Sequence, residues 1–298
     1  MKIFAWFLGL LAFAIILGVC FIFILTPEVN AVMSSLEMAI EGLTPNEYYD
    51  RHGVLIAKSQ QQEYVPYEKI PADVWKPFVA IEDKRFFKHR GVDWIGLGRA
   101  IVKNLTSGRS AQGGSTITQQ LVKNVLLTNA KTKWRKLVEI LLACQVERMF
   151  SKEQILAAYM NQIPFGSGTI GIQAAGKMYF GKNAWDLTLA EASVLAGIPK
   201  RPARYNPQYS QDNARDRQFT VLRITAENGF ISRSQWQAAK RAPLIYQKAP
   251  EKSKNYDAFI SVVNGEISRS FGEDATKFGG LKINTTMDLD LQEALTDA

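Results

Sequence analysis

Residues 3–25 of this 298-residue chain carry no charged side chain, and a run of that length matches the roughly 20 apolar residues a helix needs to cross a bilayer. Lys2 and the amino terminus lie on one side of it, with Thr26, Pro27 and Glu28 on the other. Positive charge stays inside, so the start of the chain is expected in the cytoplasm and the remainder outside. A cleaved signal peptide would have a shorter apolar core and a small-x-small exit. Here Phe21, Ile22, Phe23 and Ile24 keep the exit bulky, and the expectation is an uncleaved single-pass anchor over residues 1–26.

The rest of the chain has to fold without covalent help. The two cysteines, Cys20 and Cys144, sit in the anchor and in an apolar helical run, so no disulfide framework is expected although the compartment would permit one. The only histidines are His52 and His89, which excludes a His/Cys metal cluster. A hydrophobic content of 47% is enough for one substantial core and a smaller unit. The net charge of +8 is localised: residues 82–152 hold fourteen Lys or Arg against five Asp or Glu. Such an excess implies an anionic partner at one site. Outside the membrane, a pyrophosphate or a lipid surface suits that site and nucleic acid does not.

After a helical stretch near residues 31–41, residues 48–66 alternate around His52-Gly53 and read as a hairpin. Residues 72–240 are helical, punctuated by glycines and prolines. Residues 243–256 read as a charged linker, 258–271 as a further helix and 281–286 as a strand.

Four segments carry candidate chemistry. In residues 134–150 the pattern is apolar nearly all round, which predicts a central helix. Glu139 on it is either an ion pair with Arg135 or Lys136, one turn back, or a carboxylate held in a cleft to orient substrate. In Gly113-Gly114-Ser115-Thr116-Ile117-Thr118-Gln119-Gln120, Thr116 and Gln119 fit a capping box that opens a helix. Lys123 and Asn124 continue its polar stripe. This start is either an ordinary cap or a seat for phosphate. In Glu82-Asp83-Lys84-Arg85-Phe86-Phe87, two acids end a helix whose dipole disfavours them, with Gly91 as the expected stop. The run is either solvated or, pulled inward by its phenylalanines, part of a cleft wall. Residues 94–103 are apolar and basic, either a half-buried surface helix or a segment dipping into a membrane surface.

Taken in order, these words resemble one family. Glu82-Asp83-x-x-Phe86-x-x-His89-x-Gly91-x-Asp93 and Gly113-Gly114-Ser115-Thr116-x-Thr118-Gln119-Gln120 are similar to the first two motifs of the peptidoglycan glycosyltransferases. Arg135-Lys136-x-x-Glu139, Ser151-Lys152 and Tyr159-x-Asn161 resemble the third. Gly171-Ile172-x-Ala174-Ala175 and Leu189-x-Glu191-Ala192 with Ala196-Gly197-x-Pro199 resemble the fourth and fifth. The flanks look like a class A penicillin-binding protein. The Ser-x-x-Lys of a transpeptidase occurs nowhere, so that domain is not expected here. At Lys131, where the family often carries Arg, a point charge replaces a bidentate fork.

The resemblance implies a mainly α, lysozyme-like glycosyltransferase domain over residues 71–242, preceded by a transmembrane helix and a connecting helix and hairpin (27–70). A linker (243–298) would lead towards an absent transpeptidase. It implies lipid II and a growing lipid-linked strand as substrates, at the plasma membrane, with other wall-synthesis proteins as partners. Glu82 would be the general base and Glu139 the second catalytic acid. Asp83, Phe86, Ser115, Thr116, Gln120, Lys123, Asn124, Arg135 and Lys136 would bind substrate. No cofactor is required, Mg2+ or Mn2+ at Asp83 or Glu139 being optional. The competing readings are a muramidase or lytic transglycosylase, which also uses two carboxylates, and a non-catalytic anchored scaffold.

Overall fold

The computed structural model describes residues 46–58, 63–107, 114–126, 133–167, 169–247, 256–271 and 280–296. The expected anchor, the helix near residues 31–41, Gly113 and Lys131 lie outside them. Among the described residues no helix is long and apolar enough to cross a membrane.

The chain opens with strands β1 (Glu47–Tyr49) and β2 (Leu55–Lys58), then runs through helices α1 (Ala72–Glu82), α2 (Trp94–Ser107), α3 (Ile117–Leu126), α4 (Lys133–Met149) and α5 (Lys152–Gln162). A two-stranded ribbon, β3 (Pro164–Gly166) and β4 (Thr169–Ile170), leads into α6 (Ile172–Phe180), α7 (Leu189–Gly197), α8 (Pro202–Tyr205), α9 (Gln211–Glu227) and α10 (Arg233–Arg241). Helix α11 (Asp257–Phe271), strand β5 (Lys282–Asn284) and helix α12 (Leu289–Thr296) complete the order.

The mainly helical expectation holds, but the helix at the centre differs. Helix α7 is buried along its whole length, because Ala190, Ala192, Ser193, Ala196 and Gly197 let α1 and α9 pack closely on it. Helix α5 is buried from Ile155 to Asn161. Helix α4 presents Leu142, Ala143 and Val146 to the core, whereas Leu137, Leu141 and Met149 on its other side are exposed. An apolar side chain satisfies the helical pattern wherever it faces, so α4 was expected to be central and is not.

Two helical groups result, α1 with α7 and α9, and α3 with α4 and α5. One core runs through both, with Phe78, Phe86, Ile117, Leu121, Tyr159 and Phe165 among its fully buried side chains. Residues 243–247 continue this packing: Leu244 and Tyr246 lie against the core, and Gln247 donates its N–H to the Tyr179 carbonyl.

The hairpin is present, with the Asp50 carboxylate accepting from the His52 and Val54 N–H groups to close its turn. Strand β5 joins it in parallel on the free side of β1, giving the order β2-β1-β5. The strand expected at 281–286 thus completes the sheet begun by the hairpin.

Candidate active site

Helix α1 stops at Glu82 because Asp83 leaves the helical region, at φ −155 and ψ 75. Gly91 is therefore not its stop. Its φ of +84 and its approach to α4 require glycine, since a Cβ would lie 2.7 Å from the Ala143 carbonyl oxygen. Between them, Phe86 is buried under the ammonium of Lys152, which lies 4.2 Å over its ring. Phe86 thus shapes the turn from within and does not face the cleft.

The two adjacent acids face different surroundings. Asp83 is buried, and its Oδ2 accepts from His89 Nε2 at 2.9 Å and from the Ile117 N–H at 3.1 Å. An acid misplaced at the end of α1 is thereby well placed at the start of α3, where free N–H groups and the dipole favour an anion. Of the two readings of this helix start, the ordinary cap applies, because the protein's own carboxylate takes the Ile117 N–H. His89 serves as the hydrogen-bond donor to Asp83. Glu82 is half-buried and accepts from Gln120 Nε2 at 2.9 Å.

The capping box is as expected. Thr116 N–H donates to Gln119 Oε1 at 2.9 Å and Gln119 N–H to Thr116 Oγ1 at 3.2 Å, while the Thr116 hydroxyl donates to the Gly91 carbonyl at 2.6 Å. Thr116 is buried and its hydroxyl holds the two motifs together. Lys123 and Asn124 are exposed, Lys123 on the cleft wall.

On α4, Glu139 is buried and takes the Lys136 ammonium, which also donates to Ser115 Oγ at 3.0 Å. The ion-pair reading of Glu139 is correct, and it coexists with a place on the cleft wall. Arg135 lies on the same helix, its side chain outside the described part.

The cleft, about 800 Å³, lies between the two helical groups. Its acids and its bases differ in one respect. Asp83, Asp93, Glu139 and Glu227 are bonded to His89, Arg85, Lys136 and Arg223 respectively. Glu82 is the remaining acid on the lining and has no ion-pair partner among the described residues. Lys84, Arg99, Lys123 and Lys200 line the same cleft and have no ion-pair partner among them either. The cleft thus offers one carboxylate and several uncommitted cations. No three His, Cys, Asp or Glu converge on a metal position among the described residues, and Asp83 Oδ2 and Glu139 Oε1 are already engaged by protein donors. This donor set does not form a cation cage.

Two residues escaped notice as working parts. Arg217 of α9 lines the cleft with its Nε buried and without a hydrogen-bond partner among the described residues. Burial pulls its guanidinium below the usual range, opposed by Tyr205 and the charge of Glu82. Its stem passes Gly197, where a Cβ would sit 2.7 Å from Arg217 Cγ; a glycine inside an alanine-rich helix was the available signal. Tyr159 of α5 is fully buried with its hydroxyl 3.5 Å from Gln120 Oε1.

Residues 50–226 match the family model described as Transglycosylase. Penicillin-binding protein 1A of Aquifex aeolicus is 44% identical over 259 residues, covering 85% of this chain and 35% of that one. Penicillin-binding protein 1F of Bacillus subtilis is 38% identical over 82% of this chain and 35% of its own length. Penicillin-binding protein 1A of Escherichia coli is 35% identical over 100% of this chain and 36% of its own length. The chain spans about a third of the length of these curated relatives.

Proposed function

The chain belongs to the transglycosylase family, and on that footing we propose that its cleft polymerises lipid II into glycan strands. Glu82 takes the proton of the acceptor 4-hydroxyl as that oxygen attacks the donor's anomeric carbon. The configuration inverts, and the bond to polyprenyl pyrophosphate breaks. Negative charge grows on the leaving group, so fixed cations stabilise the transition state more than the ground state. Lys123, Arg135 and Lys136 fill that role, with Ser115, Thr116, Gln120 and Asn124 as polar neighbours. Glu139 holds Lys136 in place. Mg2+ or Mn2+ stays outside this scheme, since His89 and Lys136 already hold Asp83 Oδ2 and Glu139 Oε1.

The observation that carries the reading is Glu82, the single acid of the cleft lining without an ion-pair partner among the described residues, set among cations that also lack one there. A muramidase or lytic transglycosylase expels no pyrophosphate and has no use for them; a scaffold needs neither. Glu82→Gln should abolish polymer formation from purified lipid II while lipid binding persists. Near-normal strand synthesis in that variant would sink the assignment, and shortening of added strands by the wild type would favour the hydrolase.

A membrane setting accords with the same reading. Trp94 and Ile95 are 66% and 59% exposed, and Leu137, Leu141 and Met149 are exposed too. With an anchor at residues 1–26, these side chains suit a bilayer surface beside the cleft. The catalytic unit, residues 71–242, would then stand outside the plasma membrane, within reach of other wall-synthesis proteins.

A further inference from the structure

Behind Glu82, two hydrogen bonds run from the interior of α5 to the cleft. The Tyr159 hydroxyl lies 3.5 Å from Gln120 Oε1, and Gln120 Nε2 donates to Glu82 Oε2 at 2.9 Å. The direction of this chain is set from both ends. An ionised carboxylate only accepts, so the Gln120 amide must turn its NH2 to Glu82 and its carbonyl to Tyr159. The phenol must then donate. Burial, with the charges of Glu82 and Asp83, pushes the phenol well above its ordinary range, so its proton stays in place.

We propose that Tyr159 is a positioning residue for glycosyl transfer: its hydroxyl anchors the Gln120 carbonyl on the α5 side, and so fixes where the amide N–H donor stands against the Glu82 carboxylate. This rests on the reading of Glu82 as the base. A phenylalanine would fill the same fully buried space on α5 without a hydroxyl to satisfy, so packing alone gives no reason for the hydroxyl. Its bond to Gln120 is long, which makes its direct contribution to stability small and leaves orientation as its main effect. Without that anchor the Gln120 side chain can pivot, and the carboxylate it holds moves off the line to the acceptor hydroxyl. Misplacing a reacting group by about 1 Å can cost up to about a hundredfold in rate.

The test is a double-mutant cycle on lipid II polymerisation by the full chain, with wild type, Tyr159→Phe, Gln120→Leu and the double variant. Polymer from wild type and none from Glu82→Gln establishes the underlying reading first. Tyr159→Phe is then expected to lower kcat about tenfold, with KM within about twofold and Tm within about 2 °C. Gln120→Leu should fall by a similar factor, and the double variant no further, because both act through one amide. Losses that multiply to about a hundredfold in the double variant, or wild-type kcat in Tyr159→Phe, would overturn the relay and leave the Glu82 assignment intact. Gln120→Leu does not depend on how the Tyr159 variant folds, and full activity in it alone refutes the proposal.

Discussion

Gly197→Ala adds one methyl group to α7, 2.7 Å from Arg217 Cγ. An ordinary carbon–carbon contact needs about 3.5 Å, so the arginine stem must retreat by about 0.8 Å. The helix leaves no slack, since every residue of α7 is buried and α9 packs along it. The displacement passes to the guanidinium, which lines the same cleft as Glu82 and feels its charge. A shift of that size in a charged group near the reacting atoms should cost about ten- to a hundredfold in kcat. Stability should fall by no more than about 2 kcal/mol. Crowding costs about 1–3 kcal/mol, and alanine regains about 1 kcal/mol over glycine inside a helix. The assay is strand synthesis from lipid II alongside a urea unfolding midpoint. Wild-type kcat in a folded Gly197→Ala protein would show that the position of Arg217 is irrelevant to the reaction.

Three further outcomes are expected. Lys123→Ala should reduce kcat about a hundredfold by removing charge opposite the leaving group, and an unchanged rate would take Lys123 out of the site. Gly91→Ala forces a left-handed φ and a 2.7 Å clash with the Ala143 carbonyl. It should cost about 2–4 kcal/mol in urea titrations, so an unmoved midpoint would contradict the packing. Burial works to raise the Asp93 carboxyl, but the Gly96 N–H and the Arg85 guanidinium hold it below the ordinary range. Its contribution is therefore fully present above its unfolded value, about pH 4, and fades as pH falls through the lowered folded value. Asp93→Asn should flatten the loss of stability as pH falls below about 4, and identical curves would refute this.

The features legible in the sequence were local. The Thr116–Gln119 capping box and the turn at His52-Gly53 are fixed by neighbours within a few residues, and both formed as read. The motif order brought Glu82, Gln120, Lys123 and Glu139 to one cleft. The readings that failed depended on distant partners. Helix periodicity does not distinguish a core face from an apolar outer face, which misplaced α4. The acids at the end of α1 looked unfavourable because their compensation, the start of α3, lies 34 positions further on. Arg217 gave no signal of its own, since its importance comes from the glycine it passes and the cleft it lines.

The three-stranded sheet bears on the order in which this chain can fold. Leu281 N–H bonds Asn46, and Thr285 bonds the Tyr49 carbonyl, across separations of 235 and 236 residues. As the chain is made, β1 and β2 emerge early as an isolated hairpin, which is marginal in water. The third strand arrives only after all of α1 to α11 has been synthesised. Joining strands so far apart would carry a large loop-closure entropy in an unfolded chain. It carries less once the helices have condensed and brought both ends close. Sheet closure is therefore expected as a late step, leaving the exposed edge of β1 open to wrong pairing for most of the chain's synthesis.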